Sequence, residues 1–185
     1  MSKTSFKAFI EKEKSVDSRI KSINWEERKN LYLYRLKTLF RDVEVFLRQF
    51  TESNDIQIKK GKKRIEEDYI GKYEVPVLRI QLYEKYATLV PVGTLMIGTP
   101  GCVDLVGEIE TIRFALADKN EDHPQPPTSF SLIWLEEDDK NEEIRTQDCR
   151  KCDYVWKIMT APPYIRYLEL NEDSFLSALQ EVLDA

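Results

Sequence analysis

Between Tyr73 and Ala117 the chain reads as one short strand after another. V-P-V-L-R-I-Q-L-Y is followed by A-T-L-V-P-V-G-T-L-M-I, then C-V-D-L-V, then I-E-T-I-R-F-A-L-A. Leu78, Ile80 and Leu82 alternate with Arg79 and Gln81, and Ile112, Phe114 and Leu116 alternate in the same way, the period of a half-buried strand. Helical patterns lie before and after this run but not within it, which argues against a doubly wound parallel sheet. The pattern predicts an α+β fold: a mostly antiparallel sheet, with a long N-terminal helix and a C-terminal helix packed on one face.

The separators are specific. Gly61 in K-K-G-K-K-R reads as a hairpin tip, Glu84-Lys85 as a turn and Gly107-Glu108 as another. Thr99-Pro100-Gly101-Cys102 fits a type II turn, with Gly101 supplying positive φ. Leu89 to Ile97 is nearly all apolar and is expected to be buried on both faces. Pro91 inside it cannot donate to a ladder and implies a bulge or an open side. Phe130, Leu132 and Trp134 alternate as a later strand, as do Tyr154, Trp156 and Ile158. Pro162-Pro163 turns the chain, and Ile165 to Leu170 is the last strand.

Asn24 and Glu27 have capping-box spacing, followed by an apolar stripe of Leu36, Leu39, Phe40, Val43, Leu47 and Phe50. Asn171 caps a final helix striped by Phe175, Leu179 and Val182, joined by Leu176 and Leu183. With 185 residues a single domain is the default. Residues 1–23 read as a short helix or a mobile arm, 24–51 as the long helix, 56–170 as the sheet and 171–184 as the last helix.

Charge is divided along the chain. Residues 1–65 hold 17 Lys and Arg against 9 Asp and Glu, a net of +8, and the remainder nets -13. An anionic partner for the first part, or packing of the two parts together, would account for it. Three cysteines point to a reducing compartment, and the charged N-terminus lacks an apolar leader. No apolar run is long enough to span a bilayer. The expected location is cytoplasmic, away from membranes.

Lys59, Lys60, Lys62, Lys63 and Arg64 form a basic cluster that could grip phosphates. Arg41 and Arg48 on the long helix would extend the contact, with Tyr32 and Tyr34 available for stacking. The plainer alternative is a solvated tip whose charges protect a sheet edge. Cys149 and Cys152 are a C-x-x-C pair, and with Cys102 and His123 they make a Cys3His set able to hold a structural zinc. Unligated thiols on a hairpin are the competing reading, and no other cofactor is implied.

Asp104, Glu108, Glu110, Asp118 and Lys119 invite comparison with the acid and acid-x-Lys arrangement of divalent-metal nucleases. Ile112 stands where the lysine after Glu110 belongs, and adjacent Asp118 and Lys119 would point to opposite faces, so the pattern is incomplete. His123 is the sole histidine, and neither a nucleophile elbow nor a phosphate loop occurs. Trp134, Tyr154, Trp156, Tyr164 and Tyr167 could line a groove or pack a core.

The sequence therefore favours a non-catalytic intracellular binding or accessory module acting through protein–protein contacts, with a homodimer through the long helix or a sheet edge as one form. The rival is a nucleic-acid binder, or a divalent-metal nuclease, using the basic N-terminal part.

Overall fold

A computed structural model describes residues 6, 7, 10, 24–94, 99–124 and 153–184. Helix α1 spans Trp25–Phe46. The Asn24 side chain accepts from the Glu27 amide at 3.1 Å, and Glu26 and Glu27 place negative charge at the positive end of the helix dipole. Its buried stripe is Tyr32, Leu36, Leu39, Phe40 and Val43. The long helix expected over 24–51 is interrupted at Leu47, and a short helix α2, Arg48–Glu52, follows it. Asn54, at φ 63°, then turns the chain away.

Seven strands follow in order: β1 Ile56–Glu67, β2 Gly71–Leu82, β3 Lys85–Gly93, β4 Cys102–Val106, β5 Thr111–Asp118, β6 Tyr154–Met159 and β7 Tyr167–Glu169. Each pairs antiparallel with the next, so spatial order equals chain order and, among the described residues, β1 and β7 are the edges. Helix α3, Glu172–Asp184, closes the chain, its first turn capped by the Asn171 side chain accepting from the Ser174 amide at 3.0 Å. The α+β fold with both long helices on the sheet is as the sequence pattern requires.

Both helices pack on the same face of the sheet. Phe175 of α3 is fully buried and meets Phe46 of α1 and Phe114 of β5, with ring centres 5.9 and 6.2 Å away. Trp156 of β6 donates its indole N–H to the Arg35 carbonyl at 2.9 Å, tying the far side of the sheet to α1. Alternation along β4 and β5 sends Val103, Leu105, Phe114 and Leu116 into this core. It leaves Cys102, Ala115 and Ala117 for a small cluster on the opposite face, under Tyr167.

Four local expectations need correction. Gly61 is no hairpin tip: it sits in mid-β1 opposite Val77, and the turn falls at Asp68–Ile70. A β-carbon at Gly61 would lie 3.0 Å from a Val77 methyl, so this glycine serves close strand contact, not a turn. The β3 strand is buried on one face only, with alternate residues half-covered. Gly101 lacks the positive φ of a type II turn. The turn is instead held by the Thr99 hydroxyl, which accepts from the Gly101 amide at 3.1 Å and lies 2.8 Å from the Gly101 carbonyl. The helix over 24–51 is two helices, as above.

The register shift at Pro91–Gly93 is the irregularity that the proline implied. It has a partner in β2. The β2–β3 ladder ends at Leu78–Leu89, and continuing that register would bring Pro76 opposite Pro91. Neither has an N–H to give, so the pairing stops there. Beyond that point the β1–β2 hairpin changes its buried side. Ile56 and Ile80 face the core from one side of the ribbon, whereas Ile65 and Val75, buried as well, have the opposite parity. The tip then folds over the start of α1, where Tyr69 stacks on Trp25 with ring centres 5.0 Å apart.

Candidate functional site

The basic cluster lies along an edge. One side of β1 has no strand partner among the described residues, and Lys59, Lys60, Lys62, Lys63 and Arg64 occupy its middle. Residues paired across a ladder share a face. Lys60 therefore projects with Leu78, Lys62 with Pro76 and Arg64 with Glu74, while Lys59 and Lys63 project from the other side with Arg79 and Val75. The cluster is thus split between two faces, which a run of letters does not reveal.

On the inner side, α1 and α2 stand beyond β1 and leave a groove of about 480 Å³. Arg41, Arg48 and Lys60 line it, and Val45, Ile56 and Ile58 supply its apolar surface. The helical spacing of Arg41, Val45 and Arg48 sets these three side chains on one exposed face of the helical segment, continued by Lys37 and Tyr34. Val45 is half exposed, at 49%. The structure thus brings Arg41, Arg48 and Lys60 together and leaves Lys59 and Lys63 on the far face.

Several of these cations have acidic neighbours. Lys60 meets Glu44 at 2.6 Å inside the groove, and Glu74 lies 3.5 Å from Lys62 and 3.9 Å from Arg64. Lys59 donates to the Gln81 side chain at 3.0 Å, and Arg41 lies 3.2 Å from Asp42. No described acid pairs with Lys63 or Arg48. Exposed pairs of this kind are worth about 0–1 kcal/mol each, so an incoming anion can replace them. Of the two tyrosines proposed for stacking, Tyr32 is buried and donates its hydroxyl to the Cys102 carbonyl at 2.7 Å, and Tyr34 is exposed.

The metal-site residues are only partly placed. Cys149 and Cys152 lie outside the described residues. Cys102 is buried, and burial pushes its thiol up to about 11, the neutral form that a metal ligand must give up. His123 sits exposed in the loop after β5. Among the described residues no group of three His, Cys, Asp or Glu side chains converges as a metal site. The nuclease-like acids are dispersed too: Asp104 takes both of its contacts, at 2.8 and 3.0 Å, from Arg113, and Glu108 and Glu110 lie in the exposed β4–β5 turn. Tyr154, Trp156 and Tyr167 are buried, Tyr164 is exposed and Trp134 lies outside the described residues.

Two features escaped the sequence reading. One is a polar knot under the hairpin tip. Glu67 accepts from the Thr94 amide at 2.6 Å, from the Thr94 hydroxyl at 3.0 Å and from the Tyr73 hydroxyl, while Arg28 donates to the Thr94 carbonyl at 2.5 Å. Burial and then the Glu67 carboxylate raise the Tyr73 phenol well above its ordinary range. The other is an apolar groove of about 740 Å³ between α3 and the β2–β3 turn, lined by Ile56, Leu82, Leu176, Leu179 and Leu183 with Tyr83 at its rim. Leu176 and Leu183 read in sequence as core stripe, which hid the groove. Among the described residues no helix is long and apolar enough to cross a membrane.

No family model matches this chain, and no curated protein or solved structure matches it either.

Proposed function

We propose that this protein is a non-catalytic binding module that recognises another protein through the face formed by α1, α2 and the open edge of β1. The observation that carries the reading is the groove: Arg41, Arg48 and Lys60 stand around an apolar surface that includes half-exposed Val45, beside a twelve-residue strand edge. Cations around an apolar floor suit a protein surface that offers both carboxylates and aliphatic side chains. A second copy is a poor fit to this edge, because pairing β1 with itself would set like charges opposite one another.

The test is a photo-crosslinking amino acid in place of Val45, compared with one at Ile109, which is 77% exposed and remote in the β4–β5 turn. In the native cell the Val45 probe is expected to capture a defined protein that the Ile109 probe does not. Identical captures at both positions, or capture of nucleic acid alone, would remove the reading.

The nucleic-acid reading draws on the same three groove cations. It predicts binding to DNA or RNA that weakens steeply across a salt series, roughly one unit of log–log slope per phosphate contacted. Two structural features count against it: Tyr32 is locked in the core, and Asp104, first of the acids a nuclease would need, is held by Arg113.

A further inference from the structure

Resting on the protein-binding reading above, we infer that the partner contributes an acidic segment in extended form, which adds to the sheet as an eighth strand beside β1. The occupant follows from three properties of the site. First, β1 is a long edge strand, and such an edge offers a row of backbone donors and acceptors to an added chain.

Second, charge selects what can add. Lys60 on one face of the strand and Lys59 and Lys63 on the other present cations on both faces of the edge. A basic or uncharged strand gains nothing from them, and a second β1 is repelled. A strand with carboxylates is drawn in, so the charges that keep copies of this chain apart also choose the partner.

Third, the inner face is not only charged. Val45 and Ile58 leave apolar surface between Arg41, Arg48 and Lys60, so an added strand that carries aliphatic residues inward covers them. A nucleic acid has nothing to place there, and among the described residues no aromatic ring lines the groove for a base to stack on.

Glu44 already acts as a stand-in for the ligand. Its carboxylate sits 2.6 Å from the Lys60 ammonium within the groove. A carboxylate from the partner must displace it, so Glu44 competes with the strand it resembles. Glu44→Gln removes the competitor and frees Lys60, and an exposed pair of this kind corresponds to at most about fivefold in affinity.

The probe is a fluorescein-labelled ten-residue peptide of repeating Glu-Glu-Val-Val, in which each face of the extended strand carries both Glu and Val, titrated into the full chain by fluorescence anisotropy. The peptide is expected to bind and to weaken with added salt. Glu44→Gln should tighten it by up to about fivefold, and the double change Arg41→Glu with Arg48→Glu should weaken it at least about tenfold. A peptide N-methylated throughout keeps the charge and apolar surface but cannot donate to β1, and it should lose at least about tenfold. Failure to bind, equal binding of the N-methylated peptide, no gain from Glu44→Gln, or a ten-nucleotide oligo-dT that binds more tightly than the peptide would each overturn the inference. The Glu44→Gln arm is a gain of binding, which an unfolded variant cannot mimic. Protein capture at Val45 alongside any of those failures would sink the added strand and leave the parent reading standing. Absence of capture would sink the parent reading.

Discussion

Gly101→Ala tests the packing of α1 on the sheet. A β-carbon at Gly101 would lie 2.5 and 2.7 Å from two carbons of the Tyr32 ring and 3.2 Å from a Leu116 methyl. Carbon atoms settle about 3.5–4.0 Å apart, so the overlap with the ring is roughly 1 Å. The ring has nowhere to retreat. Tyr32 is 1% exposed, its hydroxyl is bound to the Cys102 carbonyl, and Trp156 stands beside it, with ring centres 6.5 Å apart. Overpacking of this kind costs about 1–3 kcal/mol. Displacing the ring also strains or breaks the Tyr32–Cys102 hydrogen bond, worth about 1 kcal/mol. The expected loss is therefore about 2–4 kcal/mol, or roughly 5–15 °C in melting temperature for a chain of this size. Gly101 does not have positive φ, so backbone conformation adds nothing to this cost. Urea unfolding followed by tryptophan fluorescence measures it. In a Tyr32→Leu background the same Gly101→Ala change should cost markedly less, because the obstructing ring is gone. A Gly101→Ala protein within about 0.5 kcal/mol of the parent, or an equal cost in both backgrounds, would refute the steric account.

The remaining predictions concern other contacts. Gly107→Ala would place a β-carbon 2.3 Å from the Val182 carbonyl oxygen, so it should loosen α3 and cost about 2–4 kcal/mol, read by urea unfolding and by faster hydrogen exchange along Glu172–Asp184. Glu67→Gln replaces an acceptor-only carboxylate that receives Thr94 and Tyr73 with a group that also donates; it should cost about 1–3 kcal/mol, and exchange should rise at the hairpin turn. Stability should fall in alkali. Cys102 and Tyr167 hold their protons to about 11 and about 12 when folded, above their values of 9.0 and 10.0 in the open chain. The folded state therefore binds more protons across that window, and its advantage is complete below pH 9.0 and lost as pH rises through the folded values. Cys102→Ala should flatten the lower part of the decline, measured as urea midpoints against pH.

Much of the architecture was legible because its signals are local. Asn24 and Asn171 cap their helices through their own side chains, and the stripes of both helices record which face is buried. The antiparallel sheet followed from closely spaced strand patterns, whereas the strand order did not. The β1–β2 hairpin misled for a physical reason. Glycine within lysines is a good turn composition, and what keeps Gly61 in mid-strand is a nonlocal fact: the strand must run on so that Ile65 and Val75 reach the core from the opposite side of the ribbon. The Pro76–Pro91 coincidence is also nonlocal, since each proline is readable alone but their shared rung depends on register. The same limit applies to the groove. Arg41, Arg48 and Lys60 were all named from sequence, yet only packing shows that these three share a wall-to-wall site while Lys59 and Lys63 face away.

Edge protection and recognition make different demands on these charges, and that difference separates them. Lysines along β1 are enough to keep two copies from pairing, and Lys59, Lys62, Lys63 and Arg64 need no further purpose on that account. Protection does not explain cations on a neighbouring helix. Arg41 and Arg48 lie off the strand whose pairing the lysines already oppose, and Arg48 makes no ion pair with a described acid. Nor does protection call for Val45 to be left half exposed between them, when any polar residue would serve the helix as well. What the helix adds to the edge is a second wall with an apolar surface, and a second wall has a purpose only if something lies against it. Deleting the helix charges should therefore leave the solubility of the chain unchanged and weaken ligand binding. Deleting the outward lysines of β1 should affect both.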